Sequence, residues 1–274
     1  MANNLLKGKR GLIFGALDES SIAWAVAEKA HEEQGKFVLS NAPIAMRLGK
    51  LKDLAEKCNA EIITADATSV EDLEKLLTET METLGGKLDF VLHSIGMSPN
   101  VRKKREYTDL NYDFFQKTLD ISALSLHKVL QTAWKLDALN QNASVVTLTY
   151  IAAQRTFPDY SDMAQAKALL ESIVRSFGYF YGREKGVRIN SVSQSPTKTT
   201  AGTGVSGFDV FFDYADKMSP LGNASASSCA EFCISLFSDY TRMVTMQNLY
   251  HDGGFSSSGM TKDIVQQIAG GQND

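Results

Sequence analysis

The feature that most constrains this chain is a regular alternation of short apolar runs with longer segments of helical spacing. The apolar runs have the length of strands and occupy residues 10–16, 36–41, 60–66, 88–96, 143–151, 187–195 and 247–254. The spacing between them predicts helices over residues 21–35, 44–58, 69–84, 112–137 and 161–184. Because the runs are continuously apolar, both faces of the strands should be covered. The alternation therefore predicts an α/β protein with a doubly wound, seven-stranded parallel sheet flanked by helices.

The composition fits one globular domain spanning residues 1–274, with 43% hydrophobic and 22% charged residues. A net charge of −4 argues against nucleic acid as a partner. No apolar run is long enough to span a bilayer, and the first residues lack an apolar signal core, so a cytoplasmic protein is expected. Cys58, Cys229 and Cys233 lack the spacing of a disulfide framework or a metal site, and we expect them to be core residues.

The loop after the first predicted strand, GALDESSIA (15–23), has features of a phosphate-binding turn. Gly15 permits a tight turn, and Ser21 opens a helix whose amide groups and dipole suit a pyrophosphate. The loop departs from G-x-G-x-x-G, however, since Ser21 and Ala23 stand where later glycines would. The pattern alone leaves an ordinary strand–helix turn open.

Two further loops should lie at the same edge of the sheet. Asp66 ends the third predicted strand, where its carboxylate could accept a hydrogen bond from an adenine amine or cap the next helix. Ser94 and Gly96 end the fourth strand and would let a flat ring approach the backbone. After the second strand there is no acidic residue, so Asn41 could bond a ribose hydroxyl and Arg47 could reach a phosphate or lie in solvent. The sequence leaves NADH and NADPH both open.

Tyr160 and Lys167 are a candidate catalytic pair in a chain with few other obvious reactive groups, with seven residues from one to the other. On a helix, spacings of four and of seven both place two side chains on one face, but seven adds about 4.5 Å of rise. A lysine held on the nicotinamide ribose would then hold the tyrosine hydroxyl farther along the site. This geometry suits conjugate addition to an enoyl group, in which the oxygen is three bonds from the carbon that receives hydride. The argument from rise requires Tyr160 to lie on the regular helix, although Tyr160 could also precede that helix. A merely polar helix face is the other alternative.

The chain resembles the NADH-dependent enoyl-[acyl-carrier-protein] reductases of bacterial fatty-acid synthesis, within the short-chain dehydrogenase/reductase superfamily. The resemblance covers about residues 6–260 and rests on GALDESSIAWAVA, HSIGMSP, LTYIAAQRTFPDYSDMAQAKALLES, EKGVRINSVSQSPTKT and HDGGF. Its most specific mark is the set Tyr150, Tyr160 and Lys167. The resemblance implies a Rossmann-type fold, NADH (with NADPH possible) as the cofactor, an acyl carrier protein as the partner and a homotetramer.

The resemblance also implies a role for each matching residue. Tyr160 would hydrogen-bond the thioester oxygen, Lys167 would hold the nicotinamide ribose, and Tyr150 would lie beside the substrate. The implied cofactor-binding residues are Gly15, Ser21, Ile22, Asn41, Asp66, Ala67, Ser94, Ile95, Gly96, Thr197, Lys198, Thr199, Thr200 and Ala201. The implied substrate-side residues, besides the two tyrosines, are Ser98, Met163, Val205 and Phe208. No metal site is implied.

Residues 197–219 match the family's substrate-binding flap. Gly202, Gly204 and Gly207 give this segment hinge freedom, and Val205, Phe208 and further apolar residues give it apolar cover, as a lid over an acyl chain requires. An ordinary amphipathic surface helix is the alternative. The chain also departs from the family, because it reads QSPT at residues 194–197 where AGPI is common.

The resemblance also implies a strongly acidic carrier protein, and this charge bears on where the carrier docks. Between Gly204 and Lys217 the flap carries Asp209, Asp213 and Asp216 against Lys217 alone, so basic residues elsewhere, such as Lys198, would have to attract the carrier. Residues 102–105, RKKR, follow the fourth strand at the ligand edge and are a candidate dock, or only a solvated loop.

Two other functions remain possible. A 3-ketoacyl or other carbonyl reductase of the same superfamily would need a tyrosine four residues before the lysine, but Met163 occupies that position. A non-catalytic dinucleotide-sensing protein could dispense with Tyr160 and Lys167, yet both are present.

Overall fold

A computed structural model describes residues 3–199 and 208–270 of the chain. These residues form one parallel sheet in the order β3-β2-β1-β4-β5-β6-β7. The strands are β1 (Arg10–Phe14), β2 (Lys36–Ser40), β3 (Glu61–Ile62), β4 (Leu88–His93), β5 (Leu139–Thr149), β6 (Arg188–Gln194) and β7 (Asn248–His251). The doubly wound, seven-stranded parallel sheet predicted from the alternation is confirmed.

Helices cover both faces of the sheet. They are α1 (Ile22–Glu32), α2 (Ala45–Leu48), α3 (Leu51–Cys58), α4 (Val70–Leu84), α5 (Pro99–Arg102), α6 (Tyr112–Leu119), α7 (Ser125–Lys135), α8 (Met163–Lys185), α9 (Phe208–Met218), α10 (Ala226–Phe237) and α11 (Lys262–Gly270). Among the helices in the described ranges, none has both the length and the apolarity needed to cross a membrane.

The continuous apolar runs are explained by two cores, one on each face of the sheet. Leu12 of β1 faces the core under α4, α7 and α8, whereas its neighbour Ile13 faces the core under α1, α3 and α10. Each strand residue therefore finds an apolar environment whichever face it points to. The three cysteines are buried, as predicted.

Two predicted helices are interrupted. The helix predicted over residues 44–58 is split at Gly49, whose backbone is extended. Glycine is required there because a Cβ would lie 2.3 Å from the Leu17 carbonyl oxygen of the first loop. The helix predicted over residues 112–137 contains a π-helical turn, Asp120–Leu124. Within that turn the Ser122 hydroxyl accepts from the Met97 amide at 2.9 Å and donates to the Met97 carbonyl at 3.0 Å. Such π-helical turns are frequent at functional sites.

Several predicted strands were wrong at their ends. The third is only two residues long, so Asp66 lies in a loop rather than at a strand end. The fourth ends at His93, which leaves Ser94, Ile95 and Gly96 in a loop outside the strand. The fifth is displaced toward the N-terminus, so Tyr150 follows the strand directly.

Candidate active site

The candidate site lies at the carboxyl edge of the sheet, where loops after β4 and β5 meet the start of α8. The Lys167 ammonium donates to the carbonyl of Leu148 at 2.8 Å, near the end of β5. A Cβ added to Gly96 would lie 3.7 Å from the Lys167 nitrogen and 4.0 Å from the terminal methyl of Met163. The structure thus brings these three predicted residues together.

Tyr160 is held by a separate turn rather than by the long helix. It ends a short 3₁₀ helix, Pro158–Tyr160, and the next residue, Ser161, has a φ of +48° and a ψ of −138°. Regular helix begins only at Met163. The interpretation of the seven-residue spacing as two positions on one helix face is therefore wrong, because the backbone changes direction between Tyr160 and Lys167.

Tyr150 and Tyr160 lie together in an aromatic cluster, with their ring centroids 5.0 Å apart. Phe157 and Phe211 of α9 complete the cluster, at 5.4 Å and 5.9 Å from the Tyr150 ring. Tyr150 is only 8% exposed, and its buried hydroxyl has no hydrogen-bond partner within residues 3–199 and 208–270. An unpartnered buried hydroxyl is costly, so a bound molecule is the expected partner.

Burial keeps both tyrosines neutral. It raises the pKa of Tyr150, with smaller contributions from Tyr160 and Asp252, and it raises the pKa of Tyr160. Both side chains are therefore phenols at physiological pH and can donate a hydrogen bond. Either can stabilise an oxygen on which negative charge develops.

Lys167 and His93 are also shifted by burial. Burial lowers the pKa of Lys167 to about 8, although the nearby Glu171 carboxylate raises it. His93, at the end of β4, is 1% exposed, and its ring nitrogens pair with Thr147 at 3.0 Å and Ser125 at 2.9 Å. Burial, helped by the Lys167 charge, lowers the pKa of His93 to about 3, so this ring is neutral.

The loop after β1 has the form of a cradle. Gly15 has a φ of +95°, and a Cβ there would lie 1.9 Å from the Ser94 carbonyl oxygen, so only glycine fits. The Ser21 hydroxyl accepts from the Leu17 amide at 3.2 Å and donates to the Asp18 carbonyl at 2.7 Å. The Ser21 hydroxyl accepts no hydrogen bond from the first turn of α1, so this side chain leaves the first-turn amides, including that of Ile22, available to a ligand. This arrangement fits a pyrophosphate.

The residues predicted to bind the adenosine half lie on the neighbouring loops. The Asn41 amide nitrogen donates to the Ala16 carbonyl at 2.8 Å, and its oxygen accepts from the Ala42 amide at 2.8 Å. Asp66 is exposed and accepts from the Thr68 amide and hydroxyl. Capping of the helix by Asp66 is wrong, because Ser69 is the N-cap of α4. Ala67 is buried beside it. Adenosine binding by this group stays a prediction.

The segment after β6 is tied down by a buried amide. Gln194 donates to the Thr197 hydroxyl at 3.3 Å and to the Ala224 carbonyl at 3.0 Å, and accepts from the His251 ring at 2.7 Å. Gln194 and Thr197, two of the departures from the family motif, thus bond to each other. The Lys198 ammonium lies 4.6 Å from the centre of the Phe212 ring of α9, and the Thr199 amide donates to the Thr197 carbonyl.

The substrate-side predictions have mixed outcomes. Met163 lies at the site, and Phe208 is buried at the start of α9. Ser98 is 3% exposed, and its hydroxyl donates to Asp162 at 2.6 Å and accepts from the Val101 amide, so its predicted substrate contact stays a prediction. Thr200, Ala201 and Val205 lie outside the described residues.

Sequence reasoning missed a buried carboxylate directly after the tyrosine turn. Asp162 is fully buried and accepts from Ser98, from Asn100 at 2.7 Å and from Thr118 at 2.9 Å. It therefore ties the turn that carries Tyr160 to the loop after β4 and to α6. An acid before a helix usually predicts only a cap, and no local pattern marks its three distant partners.

This fold and this set of side chains define the protein's class, a Rossmann-type oxidoreductase that works on a dinucleotide bound at the edge of the sheet. A family model described as enoyl-(acyl carrier protein) reductase matches residues 15–256. The chain therefore belongs to the enoyl-(acyl carrier protein) reductase family, as its motifs predict.

Known relatives are similar over nearly the whole chain. Enoyl-[acyl-carrier-protein] reductase [NADH] 2 of Rhizobium meliloti is 33% identical, with 94% of this chain and 95% of the relative covered. The crystal structure of a FabI–NADH complex from Alistipes finegoldii is 66% identical, with a TM-score of 0.93 and with 94% of this chain and 91% of that chain covered. A second FabI structure from that organism is 60% identical with the same TM-score and covers 99% of each chain. Neither the carbonyl-reductase nor the sensing alternative is favoured by these relatives.

Proposed function

We propose that the protein is an NADH-dependent enoyl-(acyl carrier protein) reductase that reduces trans-2-enoyl thioesters in fatty-acid elongation. The observation that carries this proposal is the unpartnered, buried hydroxyl of Tyr150 beside the neutral Tyr160. Two neutral phenols whose rings lie 5.0 Å apart suit the single oxygen of a thioester. Membership of the family and an NADH complex among the similar structures support the choice of reaction and cofactor.

The chain's own residues would hold the dinucleotide at three places. The Gly15–Ser21 loop suits the pyrophosphate, and the open backbone at Gly96 suits the nicotinamide ring. Lys167 uses one of its three N–H groups on Leu148, so two remain for ribose hydroxyls. NADH, when bound there, supplies the hydride that adds to the β-carbon.

Tyr160 would act on the oxygen rather than on the carbons. As the enolate forms, its hydroxyl donates a hydrogen bond to the thioester oxygen, and such a preorganised donor lowers the barrier by about 3 kcal/mol. The positive charge of Lys167 favours the same developing enolate. Solvent then supplies the proton at the α-carbon. Tyr150 orients the substrate oxygen from the other side of the cluster.

The helix α9 would be the described part of the substrate flap. Phe211 packs on Phe157 at 5.2 Å as well as on Tyr150, so α9 covers the tyrosines. Phe208, Ala215 and Met218 are its buried residues. An acyl chain that enters between α9 and the tyrosines would replace these contacts between aromatic rings with contacts between the rings and the acyl chain.

The carrier protein would dock at the basic loop, which we define as residues 102–105. All four side chains are exposed, and Arg105 is paired with Asp109 at 3.2 Å. The loop lies near the site because Tyr107, two residues beyond it, accepts a hydrogen bond from Gln165 of α8 at 3.0 Å. Charge complementarity to an acidic carrier supports this placement.

A homotetramer is the proposed assembly, and the cytoplasm is the proposed location. Tyr179 and Phe180 on α8 are each 54% exposed, and burying such aromatic residues against another copy would stabilise an oligomer. Light scattering on the purified chain would measure the assembly directly.

One assay tests the proposed function. NADH and NADPH oxidation are each followed with a short trans-2-enoyl thioester and with a 3-ketoacyl thioester. The expected result is efficient enoyl reduction with NADH and little 3-ketoacyl reduction. Comparable kcat/KM on the two substrates would contradict the proposal.

A further inference from the structure

Glu171 is a buried carboxylate one helical turn beyond Lys167 and is only 4% exposed. Four residues along a helix correspond to about 6 Å of rise, so its charge lies close to the lysine without bonding it. The Lys167 ammonium is bonded instead to the Leu148 carbonyl. A buried charge of this kind is expensive unless it is compensated.

The hydrogen bonds to Glu171 come from three neutral side chains on three different segments. One oxygen accepts from Thr149 at 2.9 Å and from Asn248 of β7 at 3.1 Å. The other accepts from Gln154 at 3.1 Å, and Gln154 in turn accepts from the Tyr250 hydroxyl at 2.7 Å. Thr149 and Gln154 lie on either side of Tyr150 in the chain. The Glu171 carboxylate therefore binds the turn that carries Tyr150 at the residue before it and at the residue that ends it.

We propose that Glu171 is a positioning residue for the reaction: its carboxylate is the buried counter-ion that keeps Lys167 charged, and its hydrogen bonds fix the Tyr150 turn. This inference rests on the proposed function, because the role of Lys167 comes from it. In this role Glu171 acts through these two residues, because its carboxylate is taken up by Thr149, Gln154 and Asn248.

The surroundings of Lys167 support an electrostatic role for Glu171. Its own helix contributes Glu171, which raises the pKa of the lysine against the effect of burial. On the β4 side Lys167 faces His93, whose ring is neutral above about pH 3 because burial lowers its pKa. The end of β5 contributes a carbonyl group, and the loop after β4 contributes Gly96, neither of which titrates. Glu171 is therefore the carboxylate that balances the lysine.

The test measures how NADH binding depends on pH in the parent enzyme and in Glu171→Gln. The parent should lose affinity as the pH rises through about 8, where Lys167 loses its proton. In E171Q this alkaline limb should move down by about one pH unit, because an opposite charge at this range favours the protonated lysine. Fluorescence titration of NADH from pH 6 to 9.5 measures the alkaline limb of the parent and that of the variant. The pH dependence of kcat/KM for the enoyl thioester should show the same displacement.

Thr149→Val is the matched control. It removes one hydrogen bond to the carboxylate and keeps the charge, so its alkaline limb should remain with that of the parent even if kcat falls. An unmoved limb in E171Q would overturn the inference, and so would equal displacements in E171Q and T149V, since these point to a purely structural role. If E171Q does not fold, Glu171→Asp decides, because it keeps the charge. Its limb should stay within about half a pH unit of the parent, and a full unit of displacement would refute the counter-ion role.

The proposed function can fail separately. A parent protein that binds NADH with the expected alkaline limb but does not reduce enoyl thioesters would contradict the proposed reaction and leave the role of Glu171 intact.

Discussion

Acidification should destabilise this protein through one buried side chain, His93. His93 is the last residue of β4, directly before the loop of Ser94 to Gly96. Both nitrogens of its imidazole are hydrogen-bonded to hydroxyl groups. Burial lowers its pKa from 6.5 to about 3. The unfolded chain therefore takes up a proton below pH 6.5 that the folded chain refuses until about pH 3.

The sign and size of the effect follow from this difference. The contribution of neutral His93 to stability is fully present above pH 6.5 and is lost as the pH falls from 6.5 toward 3. By pH 5 the loss is about 2 kcal/mol, since each pH unit below the unfolded pKa costs about 1.4 kcal/mol. That is a substantial part of a typical total of about 5–15 kcal/mol.

Urea unfolding at pH 7.5 and pH 5 measures this loss in the parent and in His93→Gln. The glutamine variant should be less stable at pH 7.5, but it should lose about 2 kcal/mol less than the parent on acidification. His31→Gln, at an exposed position of α1, controls for removing a histidine. Protein concentration is held fixed, since an oligomer's stability depends on it. Equal acid losses in parent and H93Q would refute the reasoning.

Three other changes test the site. Lys167→Ala should weaken NADH binding more than Tyr160→Phe does, because the lysine is assigned to the ribose and the tyrosine to charge that appears in the transition state; equal dissociation constants by fluorescence titration would show that the roles are misassigned. Gly15→Ala should cost about 2–4 kcal/mol of stability and at least tenfold in NADH affinity, since the new Cβ would lie 1.9 Å from a carbonyl oxygen. Gly85→Ala is its control, with a φ of +72° but nothing within 4 Å, and should cost only about 1 kcal/mol without affecting NADH. Neutralising the basic loop, residues 102–105, should raise KM for a carrier-bound substrate at low salt and spare a short carrier-free thioester; equal losses on both, or none, would exclude it as the dock.

Much of the fold could be predicted because it depends on local patterns. Continuous apolar runs identify strands that are buried on both faces, and Leu12 and Ile13 show why each residue of a run is needed. The π-helical turn, Asp120–Leu124, could not be predicted, because its segment has a normal helical pattern. Its visible cause is distant, the pairing of Ser122 with the backbone of Met97.

The candidate site divides in the same way. Gly15, Tyr150 and Lys167 were predicted because their chemistry and spacing form a motif. Asp162 and Glu171 were not, because an acid on or before a helix is usually solvated and nothing local marks it as buried. The six side chains that donate to these two carboxylates are spread along the chain from Ser98 to Asn248, and they come together only through the sheet and its crossovers.

The separate turn at Tyr160 has a consequence for how such enzymes can diverge. Because the backbone changes direction at Ser161, between Tyr160 and Met163, the distance from the Tyr160 phenol to Lys167 is set by a short connecting segment. An insertion or deletion there would move the phenol along the cleft while every residue of α8 kept its register against the sheet. A related enzyme could therefore shift this hydrogen-bond donor toward a different acceptor oxygen without rebuilding its core, and the segment before α8 is the natural place to change loop length when engineering a new acceptor.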